Sequence, residues 1–462
     1  MAMAGRIGFW DIVLYATAMN FGIRWLATAA AAGPESLLIW LLAAFGFLAP
    51  LVIASLELAG RYEEEGAIYA WTRRTLGPFA GFMCGWIYWL CNLPFFSAVL
   101  YFIVSVAAAA VGGEIGVALM TPAGILGASA ALALLVAGLH GLGLSAGKWL
   151  PACGAVVSCA LLAFLIAAGF ALADARGPAT DFAAAHYAPP LDANGAILWS
   201  TMVFAYGGAE GVALLRNETK GGVAQLARAL ILVGVFLTLA YVAGSAAMLA
   251  ILPAEAASRL SGLPEALKLA LNELGLAAWA PLTLGVLALA LLGQYSAWFG
   301  AAARLPFAAG VDRFLPAGFG RRDAKSGAPV MAILLQTGMV IVLLGLSQAG
   351  ETLESAYDFL VAMGVLSYTL PFVFLFAAYL KAQDRPTSPG AWATPGGAGP
   401  ARLVGMLGLG VSVSAILGSL VPSPDAPDGL AATGKLVAAS LVLIASGALI
   451  YWLRRRRIGG AP

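Results

Sequence analysis

The stretch Phe204 to Lys220, FAYGGAEGVALLRNETK, places two adjacent glycines, Gly207 and Gly208, and an ionisable Glu210 inside an apolar run that starts near Ala193. Each is costly in an unbroken membrane helix. Glycine weakens a helix by about 1 kcal/mol relative to alanine, and a carboxylate in hydrocarbon costs at least ~2.5 kcal/mol on insertion scales. An interruption at this point accounts for both. Freed backbone groups and half-helix ends then face a cavity that holds a polar solute, the setting in which irregular backbone is tolerated at membrane depth. Gly8 to Ala32, GFWDIVLYATAMNFGIRWLATAAAA, offers a partner, for its hydrophobic span carries Asn20, Gly22 and Arg24 at the centre.

The surrounding composition sets the medium. Of 462 residues, 61% are hydrophobic and 10% charged, against about 25% charged in soluble proteins. Uncharged runs of about 20 residues, enough to cross ~30 Å of hydrocarbon as helices, recur throughout. The chain reads as an all-α integral membrane protein with its first span retained, since that span contains Asp11 and shows no small-residue cleavage site. Cys84, Cys91, Cys153 and Cys159 lie in apolar runs without CxxC spacing and read as buried, inert thiols. His140 and His186 are far apart, so neither a metal nor a cofactor is called for. Gly-Leu-Gly-Leu near 141 lacks a P-loop lysine, which leaves gradients or exchange as the energy source.

Twelve spans are expected, at about 9–31, 37–58, 79–111, 122–145, 149–173, 194–216, 227–251, 277–303, 329–347, 357–380, 402–421 and 434–453. Both termini then fall on one side, and twenty of the 25 Lys and Arg sort to it. Arg176, Arg259, Lys268 and Lys435 fall opposite, and Arg24 stays within a span. The positive-inside rule places both termini in the cytoplasm, which also makes glycosylation of the Asn217 sequon improbable. Arg61 to Pro78 reads as an amphipathic interfacial helix, with Ile68, Trp71 and Leu76 among charges. Residues 174–193, with His186, form an outer loop, and Leu263 to Leu274 a short outer helix within 252–276. Asp384 to Pro400 reads as a flexible linker, and Arg454 to Arg457 as a lipid-headgroup anchor.

The interrupted helices are the first and sixth, as expected if spans 1–5 and 6–10 are inverted repeats that each open on a broken helix. Here the chain resembles the amino acid-polyamine-organocation (APC) superfamily, with its leucine-transporter-type fold. Three stretches carry the likeness. Glu57 to Phe82, ELAGRYEEEGAIYAWTRRTLGPFAGF, resembles the superfamily's helix-ending Glu, charged turn and Gly-rich start of span 3. Phe204, Gly207 or Gly208, Glu210 and Glu218 match its sixth-span pattern. Arg304, Asp312, Leu315, Pro316, Gly327 and Pro329 match the run after span 8. The resemblance is nearest to bacterial amino acid permeases, including a glutamate/GABA-exchanger-like branch. It departs where many relatives read Gly-Ser-Gly-Ile, since Met19 to Arg24 keeps only Gly22-Ile23. Span 5 also lacks the lysine of many sodium-independent relatives, and Ser296 alone is offered as a sodium ligand.

The resemblance implies a transport core over 1–400, with repeats at about 9–173 and 194–380 and a linker to 400. Residues 401–462 add helices 11 and 12 and a basic tail. It further implies a secondary active transporter, a symporter or exchanger, that moves amino acids across the cytoplasmic membrane by alternating access. A polyamine or organocation carrier of the same fold is the alternative. An enzyme or channel would need a catalytic cluster or a charged ring, and neither is visible. The expected partners are an amino acid or amine, a coupling proton or sodium ion, and lipid, with no nucleic acid.

An amino acid needs a place for each end. Amides around Gly22, Ile23 and Arg24, at the positive end of a half-helix, suit a carboxylate. Carbonyls near Met19 and Asn20 and near Ala205 and Tyr206 suit an ammonium. Phe204, Gly207 and Gly208 complete the expected substrate-binding set, although the glycines would equally serve close helix packing. Glu210 and Arg24 are expected to pair and couple gating to substrate or proton, with Asp11 at a gate or interface. Trp89, Asn92, Gln294 and Tyr295 are further candidate lining residues, each with core packing as its competing role. Glu354 and Asp358 are expected to face solvent.

Overall fold

The computed structural model describes residues 8–458 apart from 63–66, 143–148, 183–186, 213–218, 309–313, 317–318, 320, 322, 324–326, 350–351, 388–390 and 425. Outside them lie His186, Asn217, Glu218 and Asp312, the acidic run 63–65, and the basic residues Arg6, Lys148, Arg216, Arg313, Arg322 and Lys325. Every regular element among the described residues is a helix. Ten are long and apolar enough to cross a membrane, including Glu35–Arg61, Pro78–Val111, Gly222–Ile251 and Leu353–Ala382. Two further apolar segments come in pieces. One is Phe9–Asn20 followed by Trp25–Ala30, the other Ala193–Ala205 followed by Ala209–Val212.

The outer surface of this bundle is apolar. Phe170, Leu239, Leu289 and Leu449 are each more than half exposed, an arrangement suited to lipid tails and unsuited to water. Polar side chains turn inward, with Asn20, Arg24, Glu57, Glu210 and Gln336 all buried. The multi-pass membrane character expected from composition is therefore met by the fold. Cys84 and Cys91 are buried as expected, whereas Cys153 is exposed on the apolar exterior.

Small residues set the packing. The helix Trp149–Arg176 lies against Gly222–Ile251 and Ala280–Ala302. A Cβ added at Gly169 would stand 2.8 Å from Ala247 Cα, and one at Gly154 2.7 Å from the Ala290 carbonyl oxygen. Backbones approach this closely only where side chains are absent, the usual basis of helix association in lipid. The first broken helix packs on this pair through Phe9–Asn20, and Leu353–Ala382 packs against Pro78–Val111 and Ala398–Ser419.

Two connections differ from their sequence expectation. Ala67–Leu76 is helical, but Ile68 and Trp71 are buried within the protein. Pro78–Leu90 and Leu353–Ala382 pack against this helix and cover Ile68 and Trp71, while Leu76 at its end stays exposed. The segment after Leu353–Ala382, expected to be flexible, is tied down by the buried Glu57. Thr394 donates its backbone N–H (2.9 Å) and its hydroxyl to Glu57 Oε2, and Gln383 donates to Oε1 at 3.0 Å. Arg61 pairs with the same carboxylate at 2.7 Å and donates to the Arg385 carbonyl at 2.8 Å. A Pro- and Gly-rich composition set the expectation of flexibility, and one buried carboxylate overrides it by demanding donors. Thr394→Val keeps the shape and removes the hydroxyl, so it is expected to cost about 1–3 kcal/mol for the under-satisfied carboxylate. The check is a lower unfolding midpoint in detergent.

Candidate functional site

The first break begins where Asn20 turns its side-chain Nδ2 back onto the Ala16 carbonyl at 2.7 Å. Asn and Gly are weak helix formers, the former because its amide competes for backbone groups. Phe21 is extended (φ −82°, ψ 111°), and the chain resumes through tight turns, with Trp25 N–H bonded to the Gly22 carbonyl at 3.1 Å and Leu26 N–H to that of Ile23 at 3.2 Å. The second break opens with similar turns. Gly207 N–H reaches the Phe204 carbonyl at 3.0 Å, and Gly208 then takes φ +123°, a conformation suited to glycine. Glu210 closes the new helix start by accepting the Gly208 N–H at 3.0 Å. Both interruptions expected from sequence are present.

They meet through one hydroxyl. Tyr241, on Gly222–Ile251, accepts the Gly22 N–H at 3.2 Å and lies 3.1 Å from the Asn20 carbonyl oxygen and 3.4 Å from that of Ala205. Trp40 stacks on its ring with centroids 4.3 Å apart. Gln294 donates to the Ala18 carbonyl at 2.7 Å and to that of Phe21 at 3.3 Å. Several main-chain groups expected to hold substrate are thus held by the protein. What is left is specific. The N–H groups of Ile23 and Arg24 have no acceptor among the described residues, and the buried Asn20 Oδ1 has no donor.

The residues that carry these groups line a cavity of about 80 Å³, several times the ~10–15 Å³ that one water needs. Met19, Asn20, Gly22, Ile23, Arg24, Phe204, Ala205 and Gly207 line it, joined by Asn92, Gln294 and Tyr295. Tyr206, Gly208 and Trp89 stand behind the wall. Tyr206 packs edge-on against Trp40 and donates to its carbonyl at 3.3 Å, and Trp89 packs on Trp86 and Phe319. Sequence reading passed over Trp25, Phe95, Trp298 and Tyr368, which also line the cavity. Aromatic residues abound in this chain, and nothing in their spacing separates a cavity wall from a helix contact. Tyr241 carried no signal beyond a lone tyrosine in an apolar span.

The charged residues part from expectation. Among the described residues, Arg24 and Glu210 form no ion pair. Arg24 lies with its guanidinium carbon 3.7 Å from the Trp25 ring centroid and 5.1 Å from that of Phe95, and donates to Tyr357 Oη at 3.3 Å. Glu210 is fully buried and accepts the hydroxyls of Tyr88 (3.0 Å) and Tyr368 (2.9 Å). Three donors around one carboxylate satisfy it without a cation. Tyr368 touches both the cavity and Glu210, and so links them. Asp11 is exposed, away from the cavity, and caps the first helix by accepting the Gly8 N–H at 2.9 Å.

Beyond Tyr357, the segment after Gly222–Ile251 folds over the start of Leu353–Ala382. Arg259 pairs with Asp358, which also accepts Ser423 Oγ at 2.6 Å, and Ser258 donates to Glu354. Asp358 and Glu354 were expected to face solvent, but the folded-over segment brings them partners. Ser296, the offered sodium ligand, has its hydroxyl 3.1 Å and its carbonyl oxygen 2.8 Å from His140 Nε2. Among the described residues no group of three or more His, Cys, Asp or Glu is placed to hold a metal.

Comparison with known proteins finds relatives along nearly the whole chain. The family described as amino acid permease matches residues 7–447. An uncharacterized transporter of Legionella pneumophila is 24% identical over 88% of this chain and 87% of its own length. A probable agmatine/putrescine antiporter of Lactococcus lactis is 19% identical over 96% of this chain and 94% of its own. The solved manganese transporter of Eremococcus coleocola has the same fold, with a TM-score of 0.56 at 15% identity over 97% of this chain and 98% of its own.

Proposed function

This chain belongs to the amino acid permease family, its match running over residues 7–447, and on that premise we propose that it carries amino acids through the cavity between its two broken helices. The observation that carries the reading is the pairing of unlike groups at one place. Two main-chain N–H groups without an acceptor among the described residues, of Ile23 and Arg24, and an unpartnered Asn20 Oδ1 belong to residues that line one cavity. The first suits a carboxylate and the second an ammonium. Transport proceeds by alternating access, with Glu210 coupling the cavity to gating through Tyr368 and either a proton, sodium or a counter-substrate supplying the energy.

The core is residues 1–400, with inverted repeats at about 9–173 and 194–380, and 401–462 is an addition. In support, every residue lining the cavity falls between Met19 and Tyr368. The sorting of Lys and Arg supports a cytoplasmic membrane location with both termini inside. The likeness to a relative named for agmatine and putrescine keeps amines as the second reading.

Purified protein in liposomes, tested by counterflow with labelled amino acids and amines, with and without sodium and a proton gradient, decides between them. At least one amino acid should exchange above protein-free liposomes. Exchange of amines alone, or of nothing, defeats the reading.

A further inference from the structure

Arg24 is 4% exposed, lines the cavity and has its guanidinium against two aromatic rings, Trp25 and Phe95. Of the five N–H donors of a guanidinium, only one is engaged among the described residues, at 3.3 Å to Tyr357 Oη. The carboxylates on neighbouring elements are committed elsewhere. Glu210 accepts Tyr88, Tyr368 and Gly208, Asp358 holds Arg259 and Ser423, and Glu354 holds Ser258. The other described polar residues on the wall, Asn20, Asn92, Gln294, Tyr295 and Tyr368, carry no charge at neutral pH. The wall therefore presents one cation and no counter-charge.

A fixed cation surrounded by hydrocarbon and helices is costly without an anion beside it. A zwitterion does not supply one to spare, because its carboxylate is met by the Ile23 and Arg24 amides and its ammonium by Asn20 Oδ1. We propose that Arg24 selects solutes with a second anionic group, so that among amino acids the acidic ones are preferred and diamines are rejected. A planar guanidinium with free donors fits a carboxylate through two parallel hydrogen bonds. An amide of the same shape offers one acceptor and turns its NH₂ toward the cation. A diamine brings two more positive charges to a site that already has one.

The proposal rests on the cavity being the amino acid site, and the test separates the two. Full-length protein in liposomes is assayed by counterflow with L-glutamate, L-aspartate, L-glutamine, L-asparagine and putrescine as probes. An acidic amino acid should half-saturate at a concentration about tenfold or more below that of its own amide, the difference expected of one charged hydrogen-bonded contact. Arg24→Gln should collapse that ratio to within about twofold, and Arg24→Lys, which keeps charge without the planar fork, should fall between. Equal use of glutamate and glutamine by the unaltered protein, competition by putrescine, or an acid preference that survives Arg24→Gln overturns the proposal while leaving the amino acid reading intact. Transport of none of these probes overturns the proposal, and the amino acid reading then falls only if the wider panel of labelled amino acids also fails to exchange. Should the variants fail to fold, the acid-to-amide ratio of the unaltered protein decides alone.

Discussion

Replacing Gly208 by alanine is expected to lower amino acid uptake by about tenfold to a hundredfold while leaving the protein folded. Two costs meet at this position. Its φ of +123° is one that residues with a Cβ rarely adopt, and such strain costs about 1–3 kcal/mol. A Cβ would also collide with Asn20 Oδ1, the unpartnered acceptor assigned to the substrate ammonium. Relief comes from shifting Asn20 or closing the turn, and either change deforms the cavity rather than the bundle. At 1.4 kcal/mol for each factor of ten, a strain of about 1–3 kcal/mol corresponds to roughly fivefold to a hundredfold and by itself spans that range. Gly211→Ala is the internal control, because its Cβ would meet only Tyr88 Oη at 3.6 Å, an ordinary contact. Uptake rates of both variants, normalised to protein that elutes as a single species in detergent, provide the measurement. Near-normal uptake by Gly208→Ala would mean that the second break does not shape the site.

Glu210→Gln should have a comparable effect by a different route. The carboxylate accepts two tyrosine hydroxyls and one backbone N–H in a fully buried place. Both hydroxyls donate to Oε1 and the Gly208 N–H to Oε2, so a glutamine that keeps its oxygen on the tyrosines turns its NH₂ against the Gly208 N–H, which can only donate. An unsatisfied buried donor costs about 1–3 kcal/mol, and here it falls on the turn of the second break, next to Gly207 on the cavity wall. Uptake is expected to drop about tenfold or more by the same conversion, with the thermal melt changing less than for removal of the side chain by Glu210→Ala. Unimpaired uptake by Glu210→Gln would reduce Glu210 to a structural tie and remove it from coupling.

The legibility of this protein in its sequence follows the range of the forces involved. Membrane helices are governed locally, by ~20 apolar residues and by the price of exposing backbone to lipid. Glycine pairs and stray polar groups at mid-span, such as Gly207-Gly208 and Asn20-Gly22, therefore announced both breaks and the part of the cavity wall that the breaks form. Partner choice is not local. Arg24 and Glu210 were the natural ion pair by elimination, yet Glu210 found Tyr88 and Tyr368, residues 122 and 158 positions away. A tyrosine hydroxyl leaves no pattern in the chain that tells a carboxylate's partner from a packing residue.

The same division holds at the protein's edges. The linker after Leu353–Ala382 had the composition of a flexible segment, and Glu57 decided otherwise from more than 300 residues away. Asp358 and Glu354 read as solvent-facing until the segment carrying Ser258 and Arg259 folded over them. From sequence alone came an all-helical membrane protein with interrupted first and sixth spans and the residues that make the interruptions. Only tertiary structure decided which donor meets which acceptor, and with it which main-chain groups remain for a solute. Burial makes each polar group demand a partner, and in a folded chain that partner is found by proximity in space, which sequence spacing does not encode.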